Sequence, residues 1–116
     1  MIVLPWPPKE LSPNFKRRKH WTVYRGPTKA YRETCYWLTH NAGVCAPGGD
    51  EPFPVLITFY PPDRRRRDDD GMIGAFKAGR DGMADALRVN DHRLRPTYVI
   101  GEPCKGGKVV VTVETP

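Results

Sequence analysis

The chain has 116 residues, 39% of them hydrophobic and 28% charged, with 11 glycines and 13 prolines. That size suits a single domain over residues 1–116, leaves no room for a second, and is too apolar for a disordered chain. Lysine and arginine total 19 against 13 acids, and the net charge of +6 is clustered, which points to a polyanionic partner.

Residues 1–5 (MIVLP) read as a short strand ended by proline, followed by an extended Trp6-Pro7-Pro8 turn. Residues 9–26 show no clean period. They carry Lys16, Arg17, Arg18, Lys19 and His20 beside Trp21 and Tyr24, and read as a long basic loop with aromatic residues. Pro27 suits a helix start, and Ala30, Tyr31, Thr34, Trp37 and Leu38 recur at helical spacing, so residues 27–41 are expected as a helix. A Gly/Pro-rich link spans 44–52. Residues 53–60 (FPVLITFY) form the strongest strand, stopped by Pro61-Pro62.

Asp63, Arg64–Arg67 and Asp68–Asp70 come next. Residues 70–88 read as a long helix with Ile73, Phe76, Met83 and Leu87 as its apolar stripe. Aspartates suit its N-terminus. Gly71, Gly74, Gly79 and Gly82 should each weaken it by up to about 1 kcal/mol. Residues 89–95 form a turn bearing Asp91. Residues 96–101 and 108–114 read as strands joined by the basic turn Lys105-Gly106-Gly107-Lys108. The order gives an α+β fold, a small mixed sheet with two helices packed on it.

No apolar run approaches the roughly 18–20 residues of a membrane span. The first eight residues lack the basic and long apolar regions of a signal peptide. Cys35, Cys45 and Cys104 form an odd set without a C-x-x-C pair, against a disulfide framework or a zinc site. The expected setting is cytoplasmic, with reduced thiols.

Asp68, Asp70 and Asp91 are the candidate chemical residues. Clustered carboxylates suit Mg²⁺, which prefers oxygen ligands, and such a metal can drive phosphodiester cleavage. The competing reading is charge balance, acids at a helix N-terminus beside four arginines. A helix of about 18 residues is roughly 27 Å long, so Asp91 meets the other two only if the chain folds back or a second copy supplies it. Lys77 lies within about 40° of Asp70 and Asp81 around the helix. It could stabilise a charged transition state, or simply pair with Asp81 at i, i+4. Lys16, Arg17, Arg18 and Lys19, with Arg64, Arg65, Arg66 and Arg67, are candidate phosphate contacts or solvated turns. Trp6, Trp21 and Trp37 are expected as core or loop anchors rather than base readers.

Taken together, L-P-W-P-P at 4–8, Asn14, P-D-R-R-R-R-D-x-D at 62–70, an alanine-rich helix, D-A-L at 85–87, Asp91 and K-G-G at 105–107 resemble the RusA family of Holliday junction resolvases. The resemblance covers nearly the whole chain. It implies a homodimeric, Mg²⁺-dependent endodeoxyribonuclease, with Mn²⁺ as a substitute metal and no organic cofactor. Such enzymes resolve four-way DNA junctions by paired nicks, in bacteria, their phages and prophages. Asp68, Asp70 and Asp91 map to the family's catalytic and metal-binding acids. Lys77 maps to its lysine after a shift of three residues, with Gly74 at the usual position. Lys105 and Lys108 join the other cations as DNA contacts. Gly71 and Asn90 depart from the family's Asn and Asp. A non-catalytic junction- or duplex-binding protein, or a nuclease of other branched DNA, is the alternative.

Overall fold

The computed structural model describes residues 1–114. Its elements are β1 (Ile2–Pro5), a 3₁₀ turn (Lys9–Leu11), α1 (Pro13–Arg18), α2 (Trp21–Asn41), β2 (Phe53–Tyr60), α3 (Asp69–Leu87), a second 3₁₀ turn (Asp91–Arg93), β3 (Leu94–Ile100) and β4 (Lys108–Val113). The four strands form one mixed sheet in the order β1-β4-β2-β3. β4 runs antiparallel to both β1 and β2, and β3 runs parallel to β2. The expected α+β layout is therefore present.

Alternation along the strands sets the buried face. Phe53, Val55, Ile57 and Phe59 of β2 point inward with Ile2, Leu4, Val109 and Val111. They meet Tyr31 and Cys35 of α2 and Met72, Phe76, Met83 and Leu87 of α3 in one core cluster. A period of two on the strands and 3.6 on the helices places these apolar residues on facing surfaces. The other face of the sheet stays open, with Val3 and Val99 exposed on its two edge strands.

Two expectations are corrected. Residues 9–26 are largely helical rather than a loop. Ser12 accepts the Phe15 N–H at 3.2 Å and starts α1, with Pro13 in its first turn. His20 caps α2, its Nδ1 accepting the Thr22 N–H at 3.3 Å. Basic residues disguised the helical pattern because this stretch has almost no apolar face to bury. Pro27 accordingly lies inside α2 rather than at its start.

The glycines of α3 are the second correction. A Cβ on Gly82 would overlap the Arg32 carbonyl of α2, and one on Gly79 would lie 2.8 Å from the Tyr31 ring. Both residues are buried. They let α2 and α3 approach closely, so the helix-propensity cost is offset by packing.

α3 is the crossover of a parallel β2-α3-β3 unit. Phe53 pairs with Leu94 and Phe59 with Ile100. The chain leaves β2 at one end of the sheet, returns along α3, and enters β3 at the other end. Residues just before α3 and just after it therefore lie at opposite ends of the sheet.

Candidate active site

The Trp6-Pro7-Pro8 turn, Asn14 and the 62–70 segment meet in one cleft of about 930 Å³. Trp6, Pro7, Pro8 and Lys9 form one wall, with Ser12, Asn14 and Arg17 of α1 beside them. Asp63, Arg65, Arg66 and Arg67 line it from the β2–α3 loop. Asp68, Asp70 and Gly71, at the start of α3, complete it. Packing holds these walls together. Trp6 sits edge-on to Phe59 with ring centroids 6.1 Å apart, and the Arg67 guanidinium lies 5.7 Å from the Trp6 ring centre. A Cβ on Gly74 would sit 2.8 Å from Pro13, so α1 rests directly on α3.

Asp68 is the N-cap residue of α3, yet its side chain makes no capping hydrogen bond. Among the described residues neither Asp68 nor Asp70 forms an ion pair. The neighbouring arginine charge goes elsewhere. Arg67 pairs with Asp63 at 2.9 Å and donates to the carbonyls of Asp63 and Arg65. The Arg65 N–H and then Arg67 hold the Asp63 carboxyl below the usual carboxylate range. Asp63 is thus the acid that balances charge, and Asp68 and Asp70 remain open to the cleft.

Asp91 stands elsewhere. It opens the 3₁₀ turn after α3, which spans 19 residues or about 28 Å. Its Oδ1 lies 2.8 Å from Arg80 Nε, and Arg80 also reaches the Tyr98 hydroxyl at 3.3 Å. The ion pair is poorly aligned as a hydrogen bond, and both of its atoms are buried without another hydrogen-bond partner. Asn90 Oδ1 accepts the His92 N–H at 3.3 Å and shapes this turn. Buried Arg93 anchors it by donating to the carbonyls of Glu51 and Pro47. Among the described residues no three carboxylate, imidazole or thiol groups converge. One chain therefore brings Asp68 and Asp70 together and leaves Asp91 apart.

Lys77 is exposed and lies 3.9 Å from Asp81, the i, i+4 pair anticipated from spacing. It follows Asp70 by seven residues, about 10 Å along α3, and does not line the cleft. Arg64 is exposed on the loop outside the lining. Of the α1 cations, Arg17 lines the cleft, while Lys16, Arg18 and Lys19 lie around it or beyond it. Gly106 and Gly107 adopt φ of 80° and 69°, conformations that favour glycine. Gly107 backs closely onto Trp6 and Pro62 of the cleft wall, while Lys105 and Lys108 lie outside the lining, Lys108 Nζ 5.2 Å from the Tyr60 ring centre.

Two site residues escaped the chemical reading. Asn14 carried only motif weight, yet it lines the same cleft as Asp68 and Asp70. Arg80 gave no signal, since its partner Asp91 lies beyond the helix end and outside any local spacing rule. The three tryptophans divide. Trp6 packs on the core, whereas Trp21 and Trp37 are 51% and 57% exposed, contrary to the anchor reading.

Sheet, crossover helix and cleft together define a small basic α+β domain with a free acid pair set among arginines. No family model matches the chain. A protein of Xylella fastidiosa named only as uncharacterized is 38% identical over 117 residues, covering 97% of this chain and 74% of that protein. The crossover junction endodeoxyribonuclease RusA of Escherichia coli strain K12 is 30% identical over 114 residues, covering 97% of this chain and 91% of that enzyme. RusA of Shigella sonnei matches to the same extent, 30% over 114 residues. The chain belongs to the RusA family. No helix among the described residues is long and apolar enough to cross a membrane.

Proposed function

We propose that this protein is a Mg²⁺-dependent endonuclease that resolves four-way DNA junctions by paired nicks. The observation that carries this reading is the unpaired acid pair, Asp68 and Asp70, in an arginine-lined cleft. A protein using these acids for charge balance would pair them with the adjacent arginines. Here Asp63 takes that role.

Mg²⁺ is commonly held by one or two carboxylates, several waters and substrate phosphates, and the cleft supplies the two carboxylates. When bound, the ion would activate water and stabilise charge at the scissile phosphate. Asp68 and Asp70 would hold it and orient the attacking water. Water adds to phosphorus, one P–O ester bond breaks, and the leaving oxygen takes up a proton. Arg17, Arg65 and Arg66 would grip the flanking phosphates. Lys16, Arg18, Lys19, Arg64, Lys105 and Lys108 would extend that grip along the arms, with Lys77 meeting DNA that follows α3.

Asp91 enters from a second copy in this proposal. A two-fold axis near the middle of α3 would set the start of one helix beside the end of its partner. The same symmetry matches a four-way junction and places two sites on opposing strands. The 91-side turn would then approach the cleft of the other subunit.

The test is cleavage of a labelled four-way junction by wild type and Asp70→Asn, with and without Mg²⁺. Paired symmetric nicks that need the metal and disappear in the variant support the proposal. Tight junction binding by wild type without cleavage in Mg²⁺ or Mn²⁺ overturns it and leaves a DNA-binding protein. Equal cutting of flaps and junctions would shift it to a general branched-DNA nuclease.

A further inference from the structure

From Leu11 to Arg32 the chain carries seven lysines and arginines and no acid. Within this stretch the first part of α2 overhangs the domain. No residue from Trp21 to Ala30 is buried, and Tyr31 is the first to enter the core. That overhang is about 15 Å long. Trp21 stands at its tip, 51% exposed, with Val23 48% exposed beside it. The Arg25 guanidinium lies 5.2 Å from the Trp21 ring centre, and the His20 ring lies 5.7 Å away.

An indole left in water at the tip of a strongly cationic arm has no role in the fold. Its surroundings decide what could cover it. Arg32 is taken up by Asp85 at 2.6 Å, but the other six cations have no acid partner among the described residues; they would repel a basic protein surface and draw a polyanion. Nucleic acid also supplies the flat π faces that stack on aromatic rings, and stacking with arginine support is the usual complement to backbone contacts. Trp37 differs. It is equally exposed, but its neighbours are Tyr36 and His40 rather than a cation cluster, and Glu33 lies one turn away.

We infer that Trp21, held by Arg25 and His20, stacks on a base face exposed where duplex pairing is interrupted, and so selects branched over linear DNA. This deepens the junction reading of the same protein and rests on it. A continuous duplex hides its base faces, so Trp21 adds nothing there. At a branch point the terminal pairs or unpaired bases are accessible. The cations would supply affinity for any DNA, and the indole the discrimination.

The experiment is equilibrium binding, by fluorescence anisotropy at fixed salt without divalent metal, to a four-way junction and to a linear duplex of the same arm sequence. Trp21→Ala should weaken junction binding on the order of tenfold while changing duplex binding less than about twofold. Trp21→Phe should recover most of the loss. Trp37→Ala should leave both affinities in place. Equal losses on both DNAs, equal effects of Trp21→Ala and Trp37→Ala, or a change in oligomeric state on size exclusion with Trp21→Ala would each overturn the inference. If wild type shows no junction preference, the functional proposal itself fails. If wild type prefers the junction and Trp21→Ala keeps that preference, only the role of Trp21 is lost.

Discussion

Gly82→Ala and Gly71→Ala should move stability in opposite directions, although both glycines lie in α3. At Gly71 a new Cβ would meet only the Asp68 Cβ, at an ordinary contact distance of 3.9 Å. Alanine there gains helix propensity, up to about 1 kcal/mol. At Gly82 the new methyl would overlap the Arg32 carbonyl and lie 3.2 Å from the Tyr36 nitrogen. All of these are backbone atoms of α2, so no side-chain rotation relieves the clash. The two helices must separate by on the order of 1 Å, which forfeits a quarter to a half of the dispersion attraction across the contact. Overpacking of this kind costs about 1–3 kcal/mol, and the rigid backbone contact argues for the upper end. After subtracting the propensity gain, a net loss of about 2 kcal/mol is expected. At roughly 4 °C per kcal/mol for a chain of this length, Tm should fall by about 8 °C for Gly82→Ala and rise by up to about 4 °C for Gly71→Ala. Thermal unfolding by circular dichroism and urea midpoints measure both. A Gly82→Ala protein as stable as wild type would refute the close-approach account of α3.

Three further outcomes are expected. Asp70→Asn and Asp91→Asn, each inactive alone, should regain nicking of one strand when mixed, because one composite site of the mixed dimer keeps all its acids. No recovery in a mixture shown to exchange subunits would place Asp91 in its own chain's site. Arg80→Ala should lower stability by about 1–3 kcal/mol, since it leaves the buried Asp91 Oδ1 without a partner, and should loosen the 91-side turn, read as faster amide exchange at 90–93. Stability should also fall as pH rises above about 8.5. Burial pushes the Cys35 thiol up to about 12. Burial likewise pushes the Tyr31 hydroxyl up. Both groups stay protonated in the fold and ionise first in the unfolded chain, so their contribution is intact at neutral pH and is lost through the alkaline range. Cys35→Ala should flatten the slope of urea midpoint against pH between 8.5 and 11, and an unchanged slope would refute the assignment.

The strands and the crossover helix were legible because their signals are local. FPVLITFY is apolar and β-branched, and the stripe of Phe76, Met83 and Leu87 has a clean period. α1 and the start of α2 were not legible, since a helix that overhangs the core shows no apolar face. The stretch read as a basic loop for want of a period, while the caps at Ser12 and His20 set the helices. Asp68 and Asp70 were visible as neighbours. Their freedom from the arginines was not, because it depends on Asp63 accepting Arg67. Gly79 and Gly82 read as weak points when only α3 was considered, and their purpose required knowing that Tyr31 and Arg32 lie opposite.

The crossover helix bears on how a nuclease of the proposed kind would be kept in check. A 19-residue helix is a stiff spacer, so one copy cannot bring Asp91 to its own Asp68 and Asp70. On the composite-site reading, a solitary protomer is harmless to chromosomes however well it binds them. Activity then rises steeply with copy number, as pairs form, and dilution alone disarms the nuclease. The fold would act as its own dose gauge.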